Sequence, residues 1–182
     1  MVRKWSSVLS LSAVLLMVTA PWALAEEDAK PPFGDPDNLA YAASVWEQME
    51  GYRQWRLTTP VYKGASPHGA FLRMFSSYVT LDGVPRPIVV KENFGGEGVT
   101  AQASTDKPDE WLKAVTIMLQ REAGYDDDND NWFWVKFAPN GSVMANPKGV
   151  KLAGRVAKGM PAGCISCHLS AEDGDYLFFN DE

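Results

Sequence analysis

Asn131-Trp-Phe-Trp-Val-Lys-Phe-Ala138, running straight into Pro139-Asn140-Gly141, is the stretch on which the fold turns. Aromatic and branched residues fill five of these eight positions, the composition that suits a pleated, half-buried surface. The Pro-Asn-Gly that follows is turn chemistry, and it predicts a hairpin returning through Ser142–Ala145. Upstream, 114–121 reads as either helix or strand, and three successive branched residues, Val115-Thr116-Ile117, tip it toward strand. Residues 71–81 and 86–94 read as two more strands joined by Leu81-Asp82-Gly83-Val84. Alternation in the second puts Ile88, Val90 and Phe94 on one face and Val89, Lys91 and Asn93 on the other. Asp106, Pro108 and Asp109 predict a short helical turn around Trp111. Ahead of the strands, Leu39, Ala42, Ala43, Trp46, Met49 and Arg53 recur at helical spacing, so 39–55 is read as a helix capped by Asn38. The expectation is an α+β fold: a mainly antiparallel sheet with a leading helix.

The ends of the chain carry different information. Arg3 and Lys4, the short apolar run 8–17 and Ala23-Leu24-Ala25 predict a cleaved signal peptide over residues 1–25. The run is too short and too broken by Ser10, Ser12 and Pro21 to suit a membrane anchor. Residues 26–38 are acidic and proline-bearing and read as a flexible lead-in. Residues 39–182 are then one domain. Losing Arg3 and Lys4 takes the formal net charge from −6 to −8, which argues against nucleic acid or an anionic membrane as partner. The predicted location is the periplasm.

Only two cysteines occur, Cys164 and Cys167, and His168 follows them. Cys-x-x-Cys-His is the attachment sequence for c-type haem. Two thiols three positions apart on a helical turn can reach the two vinyl groups of a porphyrin, and the adjacent histidine can meet the iron axially. Zinc would want a fourth ligand, and no second cysteine pair exists. A thioredoxin-type pair sits early in a βαβ unit, not at the chain end. A structural disulfide across so short a loop would contribute little. One covalently attached haem c, held by Cys164 and Cys167 with His168 on the iron, is therefore expected.

No methionine follows His168, and Met118, Met144 and Met160 lie upstream. The other histidine, His68, reads as a strand-entry residue bonded to backbone, with sixth-ligand duty as the alternative. The simplest outcome is an iron with an open distal face, suited to binding or transforming a small ligand.

The stretches SPHGAFLRMF (66–75), PIVVKENF (87–94), IMLQREAGYD (117–126), NWFWVKFAPNG (131–141) and AGCISCH (162–168), in that order, resemble the cytochrome P-460 family and its relative cytochrome c′-beta. The resemblance implies an antiparallel sheet with a few helices, often as a homodimer. It also implies a lysine cross-linked to a meso carbon of the haem, and Lys91 in VVKENF matches that lysine. Without the resemblance, Lys91 reads as an ordinary strand lysine facing water. The implied reaction is oxidation of hydroxylamine to nitrous oxide, with electrons passed to a soluble redox partner such as a cytochrome. A proton acceptor near the iron would assist it. Glu92 and Glu122 are the acids nearest these motifs, and alternation turns Glu92 away from Lys91.

Three functions therefore compete: oxidation of hydroxylamine or a similar small nitrogen compound, binding of nitric oxide or another gas as in cytochrome c′-beta, and simple electron transfer. A carboxylate on the distal face would favour the first. Apolar aromatics there, such as Phe71, Phe75 or Phe94, would favour the second, and a His68 or methionine ligand the third.

Overall fold

The computed structural model describes residues 32–171 and 174–178; the proposed signal peptide lies outside them. The two long strands, β3 (Phe71–Leu81) and β4 (Val84–Phe94), pair antiparallel along their whole length, from Phe71 opposite Phe94 to Leu81 opposite Val84. The turn between them puts Asp82 at φ 50° and Gly83 at φ 76°. Two positive φ angles in a two-residue loop match the right-handed twist of the flanking strands. β5 (Leu112–Gln120) and β6 (Trp132–Phe137) continue the sheet antiparallel. Short strands complete seven: β1 (Leu57–Thr58) and β2 (Tyr62–Lys63) on β3, and β7 (Ala153–Gly154) on β6. The return after Gly141 is less regular than the turn predicts, since Val143 and Ala145 make only isolated bridges. The mainly antiparallel α+β expectation holds.

The leading helix α1 runs Pro36–Gln48, earlier at both ends than its apolar spacing suggests. Asp35, not Asn38, caps it: the Asp35 carboxylate accepts from the Asn38 amide at 2.9 Å, and Pro36 stands at the first helical position. Gly51 at φ 74° ends the segment. Part of the expected lead-in is thus structured, and Phe33 is buried and bridges Gly154. α2 (Ala101–Asp106) and α3 (Pro108–Trp111) supply the helical turn expected near Trp111.

The sheet buries both faces, which makes three layers. On one face Phe75, Val90, Phe94, Val115, Ile117, Phe133 and Phe137 pack under Ala42, Val45 and Met49 of α1. Fully burying one such side chain contributes roughly 1.5–3 kcal/mol. Gly141, at φ 84°, lies so close to Trp46 that a Cβ there would stand 2.5 Å from the indole, so the hairpin turn is fitted to α1. On the other face Met118 and Trp134 pack under Val156, Ala157, Ile165 and Tyr176 of the C-terminal segment, which contains α4 (Cys164–His168). Among the described residues no helix is long and apolar enough to cross a membrane.

Candidate functional site

The site lies between the sheet and that C-terminal layer. α4 is a five-residue turn, so Cys164 and Cys167 are one turn apart and both thiols are free. Gly163 before it sits at φ 141°, where a Cβ would be 2.1 Å from that of Ala157. Only glycine lets the chain enter the turn there. His168 is buried. Its Nδ1 meets the Tyr176 carbonyl. A carbonyl only accepts, so Nδ1 carries the hydrogen and Nε2 of the neutral ring is the bare nitrogen. Burial lowers the His168 pKa, with the Tyr176 bond opposing, so the ring is neutral as an iron ligand must be.

Facing α4 across the pocket are Met74, Lys91, Met118 and Trp134 of the sheet, with Leu177 and Phe178 of the tail closing one side. Trp134 and Phe178 pack on the His168 ring at centroid distances of 4.9 and 5.5 Å. The sheet's register explains who meets whom: Val89, Met118 and Trp134 are cross-strand neighbours, and so are Lys91, Thr116 and Lys136. Burial pulls the Lys91 pKa down to about 8, with the Cys164 thiol opposing. Burial also raises the Cys164 thiol, against the pull of Lys91 and Lys136.

His68 enters this pocket too. Its ring bonds to side chains rather than to backbone: Nδ1 lies 3.1 Å from Asn93 Oδ1 and Nε2 lies 3.2 Å from Lys91 Nζ. Burial, with Lys91 adding to it, lowers the His68 pKa to about 4. Its ring centroid is 6.1 Å from that of His168.

The two acids nearest the motifs are elsewhere. Glu92 is fully buried on the α1 face, where Arg53 (2.5 Å), Arg73 (2.6 and 2.8 Å) and the Tyr52 hydroxyl (2.7 Å) surround it. Burial, then the Glu92 charge, drives the Tyr52 pKa upward. Glu122 is half exposed and pairs with Arg86 and Arg121. Phe75 and Phe94 belong to the α1 core and Phe71 packs against it, so the aromatics of the pocket are Trp134 and Phe178 instead. Of the methionines weighed from sequence, Met118 lines the pocket, while Met160 is exposed. Met74, Asn93, Trp134 and the Tyr176 carbonyl were not legible as site groups, although alternation does put Asn93 beside Lys91.

The donor set fits a haem c. Cys164 and Cys167 are compatible with thioether attachment, and His168 presents a bare Nε2 with its other nitrogen anchored, the usual arrangement of an axial histidine. The lining is largely apolar. The Trp134 Nε1 hydrogen is buried with no acceptor among the described residues, a donor free for a bound group.

Comparison with curated proteins and with solved structures returns no significant match. The cytochrome P460 family profile, in contrast, matches residues 49–179, which takes in β1 through the pocket-lining tail. With that span covering more than half of the sequence and holding Lys91, Cys164, Cys167 and His168, the chain belongs to the cytochrome P460 family.

Proposed function

We propose that the chain is an exported, periplasmic mono-haem c cytochrome that oxidises hydroxylamine or a similar small nitrogen compound and passes the electrons to a soluble cytochrome. The observation that carries this reading is the presence of Lys91 in the same pocket as Cys164 and His168, although Lys91 and Cys164 are 73 positions apart in sequence. A strand lysine with no function would face water; this one is turned inward and destabilised as a cation. A link from its nitrogen to a ring carbon of a bound haem would remove one N–H and one C–H hydrogen as two protons and two electrons, and a two-electron oxidant such as a peroxide would take the electrons.

When bound, held by Cys164, Cys167 and His168, the haem would supply a redox-active iron. The chain's own groups do the rest. His168 is held by Tyr176, the apolar walls exclude water, and His68 Nε2 is the acceptor nearest Lys91 for protons shed by a substrate.

A second reading, binding of nitric oxide or another gas, draws on a different observation. No carboxylate is among the described residues lining the pocket, and Met74, Met118, Trp134 and Phe178 suit an uncharged diatomic. Both readings are tested by the ferrous absorption spectrum and intact mass of protein matured with haem in a periplasm. A red-shifted ferrous band that disappears in Lys91→Ala supports the oxidase and makes hydroxylamine turnover the next assay. An ordinary high-spin c-haem spectrum sinks the cross-link and leaves the gas-binding reading. A mass without haem overturns both.

A further inference from the structure

Lys91 does not stand in the pocket alone; a chain of hydrogen bonds leads to it from the backbone. Asn93 is 4% exposed. Its Nδ2 donates to the main-chain oxygens of Lys91 at 2.9 Å and Ala114 at 3.2 Å, and lies 3.2 Å from the Thr116 hydroxyl. Main-chain oxygens only accept, so the amide cannot be turned over and Oδ1 must face His68. Oδ1 also only accepts, so the hydrogen of the His68 ring sits on Nδ1 and Nε2 is bare. Lys91 Nζ, 3.2 Å away, is then the donor to Nε2. Burial keeps the ring neutral, which preserves this polarity.

The approach of His68 to Asn93 is itself built in. A Cβ on Gly69 would lie 2.3 Å from the Phe94 carbonyl, so only glycine lets the 64–69 loop rest on the end of β4. The β4–β5 register shifts between Asn93 and Phe94, at that same place. Such bulges recur where a strand re-aims a side chain beside a site.

We propose that Asn93 and His68 are positioning residues for Lys91: Asn93 fixes the tautomer of His68, and His68 Nε2 holds the lysine amine in the pocket at the haem edge. The inference rests on the cross-link proposed above and adds the device that aims the amine. A lysine has four side-chain torsions, and an amine held at one acceptor meets a fixed ring carbon far more often than one that wanders.

The test uses periplasmically matured holoprotein, as wild type, His68→Phe and His68→Gln. Phenylalanine keeps the ring and removes the acceptor; glutamine restores an acceptor oxygen. After proteolysis, mass spectrometry reads the Lys91 peptide joined to the haem peptide, two hydrogens lighter than the unlinked pair. Its appearance is followed in time after adding peroxide, with haem content and thermal melting as folding controls. The expected result is a linking rate lower by about tenfold or more in His68→Phe and largely recovered in His68→Gln. An unchanged rate in His68→Phe, or an equal loss in both variants, overturns the positioning role while the cross-link stands. A wild type without the linkage overturns this inference and the oxidase reading together.

Discussion

The Tyr176 carbonyl holds the Nδ1 hydrogen of His168, and Tyr176 adopts φ 64° to do so, a backbone state that bulky residues avoid. Its ring is buried 6.3 Å from that of Trp134, so packing on the sheet holds the unfavourable backbone in place. The tail is therefore part of the site around His168.

Removing it should show in the reduction potential. An imidazole that donates from Nδ1 is a more electron-rich ligand and favours the ferric state. A chain ended after Gly174 is expected to keep its haem and to show a raised potential. A tenfold loss of relative ferric stability corresponds to about 59 mV for a one-electron couple. Spectroelectrochemical titration checks this, and an unchanged potential would remove Tyr176 from the ligand's control.

Lys91 makes a signed prediction about pH. Its folded pKa of about 8 lies below its ordinary 10.5 because of burial. Between those values the unfolded chain binds this proton more fully, so the stability of the chain expressed without haem rises with pH across the window. Lys91→Met removes the cost of the buried cation. It should melt higher than wild type at pH 7, with the gap closing between pH 8 and 10.5. Melting curves that keep a constant gap would contradict the assigned cause.

Neutralising Glu92 should be costly, because it is fully buried between two guanidinium groups. Glu92→Gln leaves Arg53 and Arg73 facing each other without their shared carboxylate. Breaking one partner of a buried ionic group costs about 3–5 kcal/mol. Urea unfolding should register a loss in that range, and a loss below about 1 kcal/mol would mean that water already serves the site.

Gly163→Ala tests the entry to the haem turn. Both the φ of 141° and the approach to Ala157 oppose a side chain there. Destabilisation above about 1 kcal/mol is expected, with the ratio of attached haem to polypeptide lowered in periplasmic expression. Normal stability and full haem loading would show that the backbone relaxes freely at this point.

How far the sequence could be read depended on the period of each pattern. The 71–81 strand and the face assignments on 86–94 were legible because side chains alternate with a period of two and both faces had distinct residues. Lys91 and Phe94 fall on opposite faces by that same alternation, so Phe94 could not have lined the pocket. The helix start was obscured because Asn38 is also a good cap; Asp35 followed by Pro36 was the stronger signal. The Cys-x-x-Cys-His turn was legible as chemistry from its spacing alone. What surrounds it was not: Tyr176 acts through its main chain, which any residue could supply, and Asn93 and His68 meet across 25 residues through a loop whose path depends on Gly69.

The Lys91-Glu92 pair has one more consequence. Successive residues of β4 point the cation into the haem pocket and the anion between two guanidinium groups on the far side of the sheet. If β4 slid by a single position, the lysine would be driven against Arg53 and Arg73, and the carboxylate would be stranded among Met118 and Trp134. The dipeptide thus works as a proofreading key for strand alignment. This pairing is specified by charges on both faces of the sheet, and the correct register is the one that turns Lys91 toward the C-terminal layer.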